Sequence, residues 1–368
     1  MSEPDPKEEK PPAEEKKGLK VLLSILLILL ITLLLFALVE GLASTVLFIK
    51  DSLPISEASH TQPDQLLGWV SKANVDLPNK YGPGVFFQTN SQGFRNSQDF
   101  SQKIPDGKTR IICLGDSFTM GYGVDNDQTW CAELQNQNQN YQTVNMGQGG
   151  YGVDQAYLWY QRDGVKLDSN IVVLAVIGDD FNRMWEKSLY GYSKPILDLK
   201  GNELKVANYP LSLEKSSSAI RIAQAGSKLR IIALLQKVAE KLPFINTLLA
   251  KPTQVSQYSQ QKQQAIVKAM LADLNKLTQE KNTKLLILYL PTKDDMVSLN
   301  AWRVLLPQIS NELKIPYLDL TPEFQALHSS EIESMFAGHY NVKGNAFVAD
   351  KVNTKLQEML ERSEKINE

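Results

Sequence analysis

Four short stretches carry the polar chemistry of this 368-residue chain: Gly115-Asp116-Ser117, the glycine turn from Asn145 to Gly150, the acidic turn Gly178-Asp179-Asp180-Phe181-Asn182, and Gly338-His339-Tyr340-Asn341. A serine hydroxyl is a poor nucleophile until a base takes its proton, and histidine is the usual base. The oxyanion that forms on attack needs aligned hydrogen-bond donors. Ser117 offers its own backbone N–H, and Gly150 offers another because glycine lets a backbone approach closely. Position 179 or Asn182 could add a side chain. Of the 3 histidines, His339 is the candidate base, since His60 falls in an irregular stretch and His328 in a polar loop. Plainer roles stand beside these. Ser117 and Asp116 also suit a helix cap, the glycines a tight turn, His339 the surface, and Asp179 a structural position.

The elements that would hold these residues follow from patterning. Apolar, β-branched runs at Thr109–Gly115, Tyr141–Gly147, Asn170–Gly178, Lys284–Pro291 and Ile315–Leu320 read as strands. The uninterrupted NIVVLAVIG is what a strand buried on both faces requires. Helical periodicity lies between them at Gln155–Gly164 and Gln264–Glu280, and after them from Val342 to about Arg362. Alternating strand and helix predicts an α/β fold: a five-stranded parallel sheet in a flavodoxin-like, three-layer αβα sandwich. Ligands in such sheets bind beyond the carboxyl ends of the strands, where all four stretches fall. The alternation breaks over about 183–252. Tyr190–Pro210 reads as loop or small hairpin and Ser216–Leu249 as an amphipathic helical pair broken at Pro243, together an insertion over one end of the sheet.

ICLGDSFTMGYGV resembles the first block of the SGNH (GDSL-type) hydrolases, NMGQGGYG the second and GHYNVKGNAFVAD the fifth, spanning about Arg110 to Ala349 in the order of that family. The resemblance implies Ser117 as nucleophile, His339 as base, and an oxyanion hole from Ser117, Gly150 and Asp179, with Asp116 and Asn182 in support. Two blocks depart from the pattern. The third carries Asp179 where the family places an asparagine donor, and an ionised carboxylate only accepts hydrogen bonds. The fifth has Phe336 and Ala337 where the family places the aspartate that orients the histidine, leaving a backbone carbonyl or the distant Glu333.

The N-terminus adds a location. Residues 1–18, rich in Pro, Glu and Lys, read as a disordered tail. Val21–Val39 is 19 residues without a charge, spanning about 28 Å against a hydrocarbon core of ~30 Å. Residues 19–49 therefore read as an uncleaved signal anchor, longer than the apolar stretch of a cleaved signal peptide. Residues 50–106 read as a stalk and domain entry, with Thr89–Gln98 open to belonging already to the hydrolase-like domain at 107–368. Lys7, Lys10, Lys16, Lys17 and Lys20 precede the span and Lys50 alone follows closely, which puts the tail in the cytoplasm and the domain in the periplasm or outside. With 39 basic and 41 acidic residues no nucleic-acid partner is expected. With 2 cysteines, Cys113 and Cys131, and no Cys-x-x-Cys, no metal or cofactor is expected either. Location and resemblance together suggest a serine esterase removing an acyl group, such as acetyl, from an envelope or extracellular polysaccharide. The alternatives are an O-acyltransferase working with envelope polysaccharide machinery, and a non-catalytic module binding glycan or a partner. Protease added to spheroplasts should digest the chain beyond Lys50 and spare the tail; a globular domain accessible only after lysis reverses the topology.

Overall fold

The structure, a computed structural model, describes residues 13–52, 56–201, 203–214, 231 and 257–367. The chain divides into two compact units, Met1–Pro54 with Ser216–Thr253 and Ile55–Lys215 with Gln254–Glu368.

In the first unit, helix α1 (Ala13–Ser52) begins inside the segment expected to be disordered. Its stretch Gly18–Val46 is long and apolar enough to cross a membrane, and its large apolar side chains are exposed. Three hydroxyls in this stretch bond inside the helix: Ser24 donates to the Lys20 carbonyl, Thr32 to Ile28 and Thr45 to Gly41. Such bonds satisfy those groups without water, as a bilayer interior demands. The expected helical pair Ser216–Leu249 lies outside the described residues, apart from Ile231.

The second unit contains a five-stranded parallel sheet. Its strands are β1 (Thr109–Gly115), β2 (Tyr141–Gly147), β3 (Ile171–Val176), β4 (Lys284–Tyr289) and β5 (Tyr317–Asp319), in spatial order β2-β1-β3-β4-β5. This is the doubly wound, flavodoxin-like order expected. Alternate residues face opposite layers. Ile112, Leu114, Val172 and Leu174 pack under α4 (Val153–Arg162), α6 (Gln257–Gln279) and α7 (Ala301–Glu312). Ile111, Cys113, Ile171 and Val173 pack under α3 (Trp130–Gln137) and α8 (Val342–Asn367). Two shorter helices, α2 (Ser117–Met120) and α5 (Gly178–Arg183), follow β1 and β3 directly. Cys113 and Cys131 are both buried and unbridged, and burial followed by the neighbouring Cys131 pushes the Cys113 thiol up.

Residues 56–106 are not a stalk. They form two short hairpins, Thr61–Asp64 with Gly68–Ser71 and Asp76–Leu77 with Phe87–Gln88, built into the domain. Trp69 and Phe87 are fully buried, and His60, fully buried too, packs its ring on Phe87 at 4.4 Å. Burial first, then Lys80, Arg95 and Lys72, hold the His60 ring neutral with its pKa pushed down to about 3. The segment has no periodicity because side-chain-to-backbone bonds, not long elements, hold it. The buried Arg95 donates to the carbonyls of Met120 (2.6 Å), Val124 (2.6 Å), Gly121 and Phe86, and to Asn126. The segment around Tyr190–Pro210, expected as loop or small hairpin, contains two hairpins, the pairs Ser188–Leu189 with Tyr192–Ser193 and Leu197–Lys200 with Glu203–Val206.

Arg95→Leu would leave several carbonyls of the loop after Ser117 without donors. It should destabilise the domain by roughly 3–5 kcal/mol in urea unfolding. A change within ~0.5 kcal/mol, the scatter of ordinary surface substitutions, refutes the bracing role.

Candidate active site

The site is assembled where β1, β2 and β3 end together. In the register, Gly115 faces Gly147 across β1 and β2, and Leu114 faces Leu174 across β1 and β3. Asp116 closes the turn out of β1. Its Oδ1 accepts the Phe118 N–H at 2.8 Å, which caps α2, and its Oδ2 lies 3.3 Å from Ser117 Oγ. The capping role weighed for Asp116 is present, and the same carboxylate lies beside Ser117. The turn out of β2 presses against α2. A Cβ at Gly147 would stand 2.1 Å from the Met120 nitrogen, so only glycine permits the approach. Gly150, with φ +75°, turns the chain in the left-handed region, and a Cβ there would meet the Tyr190 ring at 2.5 Å. Among the described residues, neither the Ser117 nor the Gly150 backbone N–H donates to a protein acceptor.

His339 arrives on the hairpin Phe336–Ala337 with His339–Tyr340. The hairpin is fixed by Tyr340, whose hydroxyl donates to the Pro291 carbonyl at 2.6 Å and whose ring packs on Phe118 and Phe324. His339 Nε2 lies 2.8 Å from Ser117 Oγ, and its ring rests on Phe118 at 4.7 Å and Tyr122 at 4.9 Å. Among the described residues no carboxylate is hydrogen-bonded to the imidazole; Glu333 pairs with Lys293 instead. Burial lowers the His339 pKa below its ordinary 6.5, Asp116 pulls it back up and Arg183 pushes it down. The ring is therefore neutral at pH 7 and able to take the serine proton.

The acidic turn sorts its residues by burial. Asp179 is exposed and accepts the Asn182 amide at 3.3 Å; neither residue bonds to Ser117, Gly150 or His339. Asp180 points inward, taking the Ile177 N–H at 3.0 Å and Arg183 at 2.7 Å. Burial first, then Asp116, push the Asp180 carboxyl well above its ordinary range, with Arg183 pulling against them. Arg183 also bonds Asp116 Oδ2 at 3.0 Å and the Tyr151 carbonyl at 3.2 Å. Burial opposes its charge, but Asp180 and Asp116 more than offset that, so it remains a cation. Arg183 was absent from the expected site, and its only sequence signal is its place three residues after Asp180 on one helix face. The described residues contain no group of three His, Cys, Asp or Glu that could hold a metal.

No family model and no curated protein matches the chain. Solved structures similar to it include a putative lipolytic protein of the G-D-S-L family from Desulfitobacterium hafniense, 13% identical over 67% of this chain and 99% of that one, TM-score 0.39. The acetyl xylan esterase AlAXEase is 18% identical over 67% and 98%, TM-score 0.39. The psychrotrophic esterase EstA from a Pseudoalteromonas species, inhibited by monoethylphosphonate, is 12% identical over 69% and 100%, TM-score 0.37.

Because the base must be neutral and its pKa is lowered, ester turnover should persist below pH 6.5 and fall on an acid limb lying beneath that value. A kcat/KM profile from pH 4 to 9 measures it. An acid limb above 6.5 contradicts a buried His339 as base.

Proposed function

We propose that this chain is a membrane-anchored serine esterase that removes an acyl group, such as acetyl, from an envelope or extracellular polysaccharide. The observation that carries the reading is the 2.8 Å contact between Ser117 Oγ and His339 Nε2, beside two backbone N–H groups with no protein acceptor. Ser117 Oγ attacks the ester carbonyl carbon while its proton passes to His339 Nε2. The carbonyl π electrons move onto oxygen, which the Ser117 and Gly150 N–H groups receive. Collapse re-forms the carbonyl and breaks the bond to the sugar oxygen, which takes the proton from His339. Water then attacks the acyl-serine by the same route, releasing the carboxylic acid and restoring Ser117. Among the described residues no carboxylate bonds the base, and Asp116 supplies part of such a group's effect as a negative charge that raises the imidazole pKa.

The polysaccharide follows from the aromatic wall and from location. Tyr122 covers His339 and is continued by Tyr81 at 4.7 Å, while Tyr190 covers Gly150. Flat aromatic faces around a polar centre suit a sugar ring carrying a small ester. The lysines before Gly18 orient α1 with the tail in the cytoplasm, leaving the domain outside with such glycans.

The full-length protein in detergent should take up a fluorophosphonate at Ser117 and release acetate from an O-acetylated polysaccharide. Ser117→Ala should abolish labelling and lower turnover about 10,000-fold or more. Equal hydrolysis by Ser117→Ala and wild type overturns the reading.

A further inference from the structure

The oxyanion hole as described has backbone donors from Ser117 and Gly150, and the side chain expected to complete it, Asp179, is exposed and turned onto Asn182. A cation stands nearby. Asp116, which Arg183 bonds, immediately precedes Ser117; Tyr151, whose carbonyl it also bonds, immediately follows Gly150. The guanidinium is thus tied to both segments that carry the backbone donors. A third bond, to Asp180, holds it from its own helix.

All three bonds use one nitrogen, Nη1, at 3.0 Å to Asp116, 2.7 Å to Asp180 and 3.2 Å to Tyr151. A guanidinium also carries N–H groups on Nε and Nη2. Here those donate to no protein acceptor among the described residues, and the side chain is 20% exposed. A merely structural arginine would be expected to spread its bonds around the fork. This one is gripped at one tip and leaves donors for something else.

We infer that Arg183 is the third donor of the oxyanion hole, in the role a neutral amide at position 179 would otherwise fill. The inference rests on the esterase reading above. Asp116 and Asp180 hold the guanidinium in place before reaction. When the carbonyl oxygen becomes negative, a fixed positive charge with free N–H groups is already in place, and a charged donor binds an oxyanion more strongly than an amide does. The same placement rationalises the departure at Asp179: with an arginine supplying the side-chain donor, that position is released to the surface. Arg183 also bonds Asp116 Oδ2, the oxygen 3.3 Å from Ser117 Oγ, while His339 Nε2 is the nearer partner of that hydroxyl at 2.8 Å.

The test uses the full-length protein in detergent with p-nitrophenyl acetate. Arg183→Lys keeps a charge but not the fork. Arg183→Ala combined with Asp180→Asn removes one of the two buried acids that pair with the arginine, and is compared with Asp180→Asn alone. Both arginine variants should lose roughly 100- to 1,000-fold in kcat, the cost of one oxyanion donor, with KM little changed and thermal melting close to the reference. Millimolar guanidinium should restore part of the rate to the alanine variant. An alanine variant within about tenfold of its reference, ~1.4 kcal/mol of barrier, overturns the arginine's role while leaving the esterase reading standing. So does a loss confined to KM, or one that guanidinium does not rescue. A wild-type protein with neither labelling nor turnover overturns both.

Discussion

The close approach of the turn after β1 to the turn after β2 is the constraint on which the site depends. Parallel pairing in register sets Gly115 against Gly147, and the missing side chain at Gly147 lets α2 lie directly on the second turn. A Cβ at that position would collide with backbone, which has no rotamer to move. With the approach made, Ser117 and Gly150 stand at neighbouring strand ends with their N–H groups unclaimed. Asn145 secures the arrangement, its amide donating to the Thr119 carbonyl at 2.9 Å and its Oδ1 accepting the Gly147 N–H at 2.9 Å.

The electrostatics of the site are organised around an arginine rather than around an acid behind the histidine. Burial keeps His339 neutral, while Asp116 and Arg183 act on it with opposite sign. In a serine hydrolase with an acid on the imidazole, that carboxylate fixes the tautomer and favours the imidazolium. Here the ring is held by packing on Phe118 and Tyr122, and the carboxylate of Asp116 lies beside Ser117. Stabilisation in such a site shifts from the base toward the developing oxyanion.

Residues 56–106 are structural partners of the turns that carry Ser117 and Gly150. Trp69 Nε1 donates to the Gly149 carbonyl at 3.1 Å, the Tyr151 hydroxyl donates back to Trp69, and Gln155 reaches Leu67. Arg95 braces the loop after Ser117 from the other side.

The sheet was legible in the sequence because its strands are buried on both faces and read as unbroken β-branched runs, as at Ile171–Val176. Ser117, Gly150 and His339 were legible because each sits at an element end with a residue type that has few other uses there. The apolar helix needed only length and composition, although it begins at Ala13, inside the segment taken for a disordered tail. Tertiary structure alone decided the rest. Residues 56–106 have no period to read, since their stability comes from single side chains reaching distant carbonyls. Asp179, Asp180 and Asn182 are adjacent in sequence and chemically alike, and only the direction of α5 turns the first outward and the second inward. Arg183 joined the site for the same reason: its partners Asp116 and Tyr151 are 67 and 32 positions away, and nothing local to the sequence marks a contact made by folding.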